Sequence, residues 1–181
     1  MHGDLLGNRI VIWNIEEARS AFRDGFYGKP LGIHKPKNAE FTAPLILDLL
    51  EGYYLANKGK LKICKPPSGK KVNIKTIEKI CRSEYVDFEE KFSVYEKLRD
   101  AGLVVSPGIK FGCDFTIYEH GPGIDHAPFL VEVVNPDQQL TATRIILSGR
   151  LATTVRKHFI LAVTDTEKKK VDFISIDWWR A

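Results

Sequence analysis

The chain has 181 residues, 44% of them hydrophobic and 28% charged, with a formal net charge of +4 and a pI of about 8.9. That apolar share can fill one large core or two small ones, which excludes a disordered polyelectrolyte. Mild basicity fits a polyanionic partner without requiring one, and no apolar run is long enough for a helical membrane span.

The charge is uneven. Residues 1–70 carry 11 Lys and Arg against 7 Asp and Glu, whereas residues 71–181 carry 16 of each. Long-range attraction for a polyanion therefore sits in the first part, and chemistry in the second part depends on local clusters. Cys64, Cys81 and Cys113 are odd in number and form no CxxC pair. No disulfide framework is expected, and the chain reads as cytoplasmic. The start MHGDLLGNRI lacks the apolar stretch of a signal peptide.

In chain order, Gly7-Asn8 predicts a hairpin turn feeding a strand over Arg9–Trp13. Asn14 caps the next helix, with Glu17 as its capping-box partner, and Gly25 ends it. Residues 28–39 read as a loop with a short extended piece. Thr42 and Pro44 open a second helix, Ala43 to about Lys58, ended by Gly59. Leu61–Cys64 reads as a strand and 65–69 as a turn. Five lysines fall within residues 60–71, a solvated loop or a patch for phosphate backbone. A third helix follows over Ile74 to Cys81.

Asp87 is placed to cap a long helix, Phe88–Asp100, whose apolar stripe is Phe88, Phe92, Tyr95 and Leu98. Gly102 stops it. A strand over 103–105, an extended run over 110–118 and a Gly- and Pro-bearing loop over 120–128 come next. Phe129–Val134 is a buried strand and 135–137 a turn. A helix runs from about Gln139 past Arg150, and strands over 159–163 and 171–177 flank a charged turn. The fold class is mixed α/β: a small N-terminal α/β domain over 1–83, and a C-terminal domain over 84–181 with a central mixed sheet flanked by helices.

No nucleotide-binding glycine loop, HExxH or paired-histidine metal spacing occurs. The most site-like stretch is Tyr118-Glu119-His120-Gly121-Pro122-Gly123-Ile124-Asp125-His126, one phenol and two imidazoles on a glycine- and proline-bearing loop. RNA carries its own nucleophile, the 2′-hydroxyl. Cleaving it requires removing that proton, protonating the departing 5′-oxygen and stabilising charge on the phosphoryl oxygens. Histidine suits the acid role and lysine the charge. Tyrosine, with a reference pKa of about 10, serves as base where a nearby ammonium favours phenolate. Lys157, at the end of the Gln139 helix, shares a helical face with Arg150, seven residues earlier, and Arg156 adds a neighbouring charge.

Three segments then fall into a familiar pattern. Lys110-Phe111-Gly112-Cys113-Asp114-Phe115-Thr116-Ile117-Tyr118 resembles the K-[FY]-G-x-D-F-x-x-Y strand of the archaeal tRNA-splicing endonucleases. His126-Ala127-Pro128-Phe129-Leu130-Val131 resembles their histidine segment, and Val155-Arg156-Lys157 their V-R-K ending. Residues 49–55 and 59–61 resemble the N-terminal domain of the same enzymes. The resemblance implies an endoribonuclease that removes introns from precursor tRNA at bulge-helix-bulge sites, without metal or other cofactor. Its products carry 2′,3′-cyclic phosphate and 5′-hydroxyl ends. Tyr118 becomes the general base, His126 the general acid and Lys157 the stabiliser of the transition state. Arg150 holds the bulged base, with Arg156 as a second RNA contact. His120 rivals His126 for the acid role, and Asp125 either orients His126 or faces solvent. The implied assembly is a homotetramer or two catalytic plus two structural subunits. Asp137 is the candidate docking acid, the last strand pairs edge to edge, and Trp178 and Trp179 lie near that interface. Two other readings stay open: a non-catalytic structural subunit, and a generic RNA-binding α/β protein.

Overall fold

The computed structural model describes residues 1–34, 36 and 38–177; Trp178 and Trp179 lie outside the described residues. The chain forms two compact units, Met1–Phe88 and Glu89–Ala181. Among the described residues no helix is long and apolar enough to cross a membrane, and Cys64, Cys81 and Cys113 are all free.

The first unit is built on a six-stranded sheet. β1 (His2–Leu6) and β2 (Arg9–Ile12) form the expected hairpin, with Leu6 opposite Arg9. α1 (Ile15–Gly25) follows. The Asn14 side chain accepts from the Glu17 N–H at 3.0 Å, as its position predicts. The Glu17 carboxylate does not close the expected capping box. It accepts from the His2 N–H at 2.6 Å and ties the helix to β1 instead. The tertiary partner wins because it offers an otherwise unpaired strand donor.

Residues 43–58 depart from the single helix expected there. β3 (Lys29–Pro30) pairs with β4 (Leu45–Asp48), and β4 pairs with β2 from Arg9↔Asp48 to Ile12↔Leu45. Only then does α2 (Leu49–Asn57) begin. Leu45 and Leu47 are fully buried by strand alternation, which a 3.6-residue reading of the same leucines hides. Asp48 is the switch: its side chain accepts from the Leu50 N–H, and Glu51 accepts back from the Asp48 N–H at 2.9 Å. That reciprocal capping box starts the helix where the strand ends. β5 (Lys62–Lys65), β6 (Lys70–Lys71) and α3 (Ile74–Glu84, capped by Asn73) complete the unit, in the sheet order β3-β4-β2-β1-β5-β6.

The second unit is a five-stranded mixed sheet with a helix on each face. α4 (Phe88–Asp100) buries Val94, Tyr95 and Leu98, with Phe92 half-buried. Asp87, expected as its cap, takes φ 55° instead of the extended backbone of a side-chain cap. The strands are β7 (Val104–Pro107), β8 (Phe115–Tyr118), β9 (Phe129–Val134), β10 (His158–Asp165) and β11 (Lys170–Ile176), ordered β11-β10-β9-β8-β7. β9 and β10 are parallel and the other neighbours antiparallel.

The extended run expected over 110–118 is interrupted. A 3-10 turn spans Ile109–Phe111, and Gly112 closes it at φ 67°, a left-handed conformation that glycine takes without strain. Asp114 then pins the start of β8. Its N–H donates to Val131 O at 3.1 Å, one carboxylate oxygen accepts from the Val133 N–H at 2.8 Å, and the other pairs with Lys91 at 3.1 Å. α5 runs over Ala142–Thr154, three residues later than expected, because the Thr141 hydroxyl accepts from the Arg144 N–H and sets the start. Ala152 of α5 packs with Leu130, Val134, Phe159 and Leu161 on one face of the sheet. On the other face Tyr95 of α4 meets Phe115 at 6.1 Å between ring centroids.

Candidate active site

Strand register decides where the predicted residues go. Ile117 of β8 stands opposite Phe129 of β9, and Phe129 opposite His158 of β10. β8 runs against β9, and β9 runs with β10. One step further toward the same end of the sheet therefore lie Tyr118, Pro128 and Lys157. The His158 N–H donates to Pro128 O at 2.8 Å and carries the ladder to that row. Thr116, Leu130 and Phe159 form the row two residues inward, so alternation puts Tyr118 and Lys157 on the face that α5 covers. Two strand spacings separate them, roughly 10 Å between Cα atoms.

His126 lies two residues before Pro128 and is exposed, with no hydrogen-bond partner among the described residues. The Lys157 ammonium donates to the carbonyl of Ala127, which tethers it beside His126. It also lies 5.5 Å from the centre of the Phe111 ring. The Lys110 ammonium approaches the same ring at 5.6 Å. Burial first, and then the field of Lys110, hold the Lys157 pKa below the usual lysine range. Lys110 and Phe111 stand out only in three dimensions. No local spacing links them to a lysine so far along the chain, and their one signal was membership of the Lys110–Tyr118 string.

Tyr118 is half-buried. Burial, and next the carboxylate of Asp125, push its phenol above the usual tyrosine range. The ammonium expected to favour phenolate does not prevail in the free chain. Asp125 does not orient His126. Its carboxylate accepts the N–H groups of Glu119, His120 and Gly121 at 2.9, 3.2 and 2.8 Å and so closes the loop on itself. Burial alone raises the Asp125 carboxyl, but those N–H groups and the neighbouring His120 together hold it below the usual range. The depressed value means that the loop's order is present above the ordinary carboxylate range and fades as pH falls through the lowered pKa. Asp125→Asn is expected to raise hydrogen exchange at the Glu119, His120 and Gly121 amides by tenfold or more at neutral pH, the loss of about one charge-assisted bond. Unchanged exchange would separate Asp125 from loop order.

Lys157 is not on the helix. α5 ends at Thr154, and the chain reverses through Arg156 at φ 56°. The Arg156 N–H donates to Thr153 O at 3.1 Å and the Lys157 N–H to Ala152 O at 2.8 Å. These are the two bonds of a Schellman motif, with Arg156 in the left-handed position that glycine usually fills. The shared helical face expected for Arg150 and Lys157 is therefore replaced by a hairpin-like turn of the backbone. Arg150 is exposed on α5 and Arg156 just beyond it, and neither has an ion pair among the described residues. A non-glycine residue in that turn costs on the order of 1 kcal/mol. Arg156→Gly is expected to stabilise the chain by about that amount in urea unfolding. A destabilised variant would contradict the strain.

Among the described residues no three His, Cys, Asp or Glu are grouped so as to hold a metal ion.

The family model described as tRNA intron endonuclease, catalytic C-terminal domain, matches residues 88–174, and the model of the tRNA intron endonuclease N-terminal domain matches residues 1–77. The chain is similar to a tRNA-splicing endonuclease of Sulfurisphaera tokodaii, 41% identical with 98% of each chain covered. It is also similar to those of Hyperthermus butylicus, 41% identical over 96% of each, and Pyrobaculum islandicum, 40% identical over 98% of each.

Proposed function

This chain belongs to the tRNA intron endonuclease family, and on that premise we propose that it removes introns from precursor tRNA by cutting at bulge-helix-bulge sites, leaving 2′,3′-cyclic phosphate and 5′-hydroxyl ends. The observation that carries the reading is the register placing Tyr118, the His126 segment and Lys157 at one end of one sheet. In this reading the substrate's 2′-oxygen bonds to phosphorus as the bond from phosphorus to the 5′-oxygen breaks. Tyr118 takes the 2′ proton, His126 gives one to the departing oxygen, and the Lys157 ammonium faces the phosphoryl oxygens. The raised pKa of Tyr118 makes phenolate scarce in the free chain, but each phenolate is then a strong base. Arg150 and Arg156, both exposed, are assigned to the RNA around the cut.

The reading needs no metal, since the nucleophile and the charge stabiliser are already supplied by RNA and lysine. We assign catalysis to the domain over 84–181, with 1–83 as its N-terminal companion, working in the cytoplasm as a homotetramer or as two catalytic plus two structural subunits. β11 is the outer strand of its sheet, and Phe173 and Ile174, on its two faces, are exposed, which supports edge-to-edge pairing of two copies with apolar contact beside the ladder. Asp137 remains the docking acid assigned to assembly.

The test is cleavage of a bulge-helix-bulge precursor tRNA in excess EDTA, with analysis of the new ends. Cleavage with cyclic phosphate on the upstream fragment is the expected result. Activity lost in EDTA and restored by magnesium would overturn the metal-free mechanism, and binding without scission under every condition would overturn the enzyme.

A further inference from the structure

Seven lysines gather on β5, β6 and α3 and on the approach to β5. Lys91, Lys168 and Lys170 pair with carboxylates and Lys97 with a carbonyl. Lys60, Lys62, Lys65, Lys70, Lys71, Lys75 and Lys79 are all exposed, and their ammonium groups have no partner among the described residues. Glu78, between Lys75 and Lys79 on α3, is engaged by Arg82 at 2.8 Å.

Three of their placements break local rules. Lys65 and Lys70 stand directly opposite each other across the β5–β6 ladder, where like charges destabilise a sheet. Lys75 sits in the first turn of α3, which has no acid, at the positive end of the helix dipole. Lys75 and Lys79 are four apart on that helix, a repulsive spacing. Protection of the exposed edge at β6 accounts for a lysine or two there. It does not account for Lys62 and Lys65 on β5, which is paired on both sides, or for the lysines of the helix. Positions where several local rules fail together, uncompensated within the chain, are where function is expected. The compensation missing here is negative charge. Between β5, β6 and α3 lies an open groove of about 550 Å³, with Ile63 and Ile77 in its wall and Lys62, Lys71 and Asn73 along it. Of the seven lysines, Lys62 and Lys71 line this groove and the other five lie on the surrounding segments.

We propose that the β5–β6 hairpin and the first two turns of α3 form a docking surface for the phosphate backbone of RNA, built from residues other than those assigned to catalysis. The choice of RNA rests on the reading that precursor tRNA is the substrate. A polyanion of regular phosphate spacing supplies the charge that the seven lysines lack, and release of its counterions drives binding without sequence preference.

The test compares the full chain with the triple variant Lys65→Gln, Lys70→Gln, Lys71→Gln, and with the same three positions changed to Arg. The probe is precursor tRNA carrying a single 2′-deoxy nucleotide at the cut, titrated across salt concentrations. The Gln variant is expected to bind at least tenfold more weakly in 0.1 M salt, its slope of log K against log salt falling by about two units. The Arg variant should bind like the parent. Cleavage of normal precursor tRNA at saturating enzyme should stay within twofold of the parent for both, and the melting temperature of the Gln variant should hold or rise as the like-charge pairs are relieved. Unchanged affinity and slope in the Gln variant, with the parent still cleaving, would overturn the surface and leave the endonuclease reading intact. Loss of binding to an acidic peptide with RNA affinity unchanged would overturn it in favour of a protein partner. If no variant or parent cleaves but the slope falls as expected, the surface stands and the endonuclease reading fails.

Discussion

Replacing His126 with alanine is expected to lower the single-turnover cleavage rate of precursor tRNA by about 10²–10⁴-fold, the usual contribution of one general acid. A substrate in which sulfur replaces the departing 5′-oxygen should recover most of that loss, because a thiolate leaves without being protonated. His126 precedes Ala127, whose carbonyl is held by the Lys157 ammonium, and Pro128, whose carbonyl is held by the His158 N–H. Its backbone is thus tied to the end of β10, and its side chain is exposed without a partner of its own. His120 differs. Its backbone N–H is given to Asp125 at 3.2 Å and closes the loop, and the charge of its ring helps hold that carboxyl below the usual range. His120→Ala is expected to change the rate by less than about threefold, the size of a lost surface charge. The opposite pattern, with His120 essential and His126 dispensable, would reassign the acid.

Lys157→Met is expected to cost about 10²–10³-fold in the same assay, the size seen when one preorganised donor to a developing anion is removed. Most of the change should fall in the rate at saturating substrate, because the ammonium meets charge that grows toward the transition state. Two features separate this from misfolding. The Ala127 carbonyl loses its donor, worth about 1 kcal/mol in unfolding experiments, which leaves the chain folded. The Schellman turn that places residue 157 is made by backbone groups and survives the substitution. The pH dependence has a definite sign. Lysine must stay protonated to act, and burial followed by Lys110 lowers its pKa. Activity should therefore fall on the alkaline side earlier than for an ordinary lysine. Lys110→Gln removes one lowering influence and should move that alkaline limb to higher pH. A limb unmoved by Lys110→Gln would separate the two cations sharing the Phe111 ring.

Much of this fold was legible where the signals were local. Phe129–Val134 was read with its true bounds, because a proline before it and Asn135-Pro136 after it bracket an apolar run with one acid, Glu132. The hairpin at Gly7-Asn8, the Asn14 cap and the stop after Asp100 followed from turn and capping chemistry within a few residues. The failures share a cause, partners distant in sequence. Residues 45–48 became a strand because β2 stood ready to pair with them, although the same leucines fit a helical period. Glu17 left its capping role for a donor on β1. The run over 110–118 folded into a 3-10 turn and a short strand once Asp114 found Val131, Val133 and Lys91.

The site divides the same way. The residue types and the loop were visible in the sequence, and the Tyr118 to His126 stretch drew attention by composition alone. The setting of each group was not. That Asp125 spends its charge on three backbone N–H groups, that Tyr118 feels this carboxylate more than any ammonium, and that Lys157 shares an aromatic ring with Lys110 all depend on loop closure and strand register. The left-handed Arg156 is the plainest case. Val-Arg-Lys contains no glycine to announce a turn, so the end of α5 was read as continuous helix, and the strain is visible only in the backbone angle.

The most direct measurement is a structure of the chain with precursor tRNA whose cleaved nucleotide lacks its 2′-hydroxyl. The account predicts one phosphate lying between β8 and β10. The Tyr118 oxygen should face the missing 2′-oxygen, the His126 ring the 5′-oxygen, and the Lys157 nitrogen a phosphoryl oxygen, each at hydrogen-bond distance. A scissile phosphate bound with any two of those side chains out of reach would contradict it.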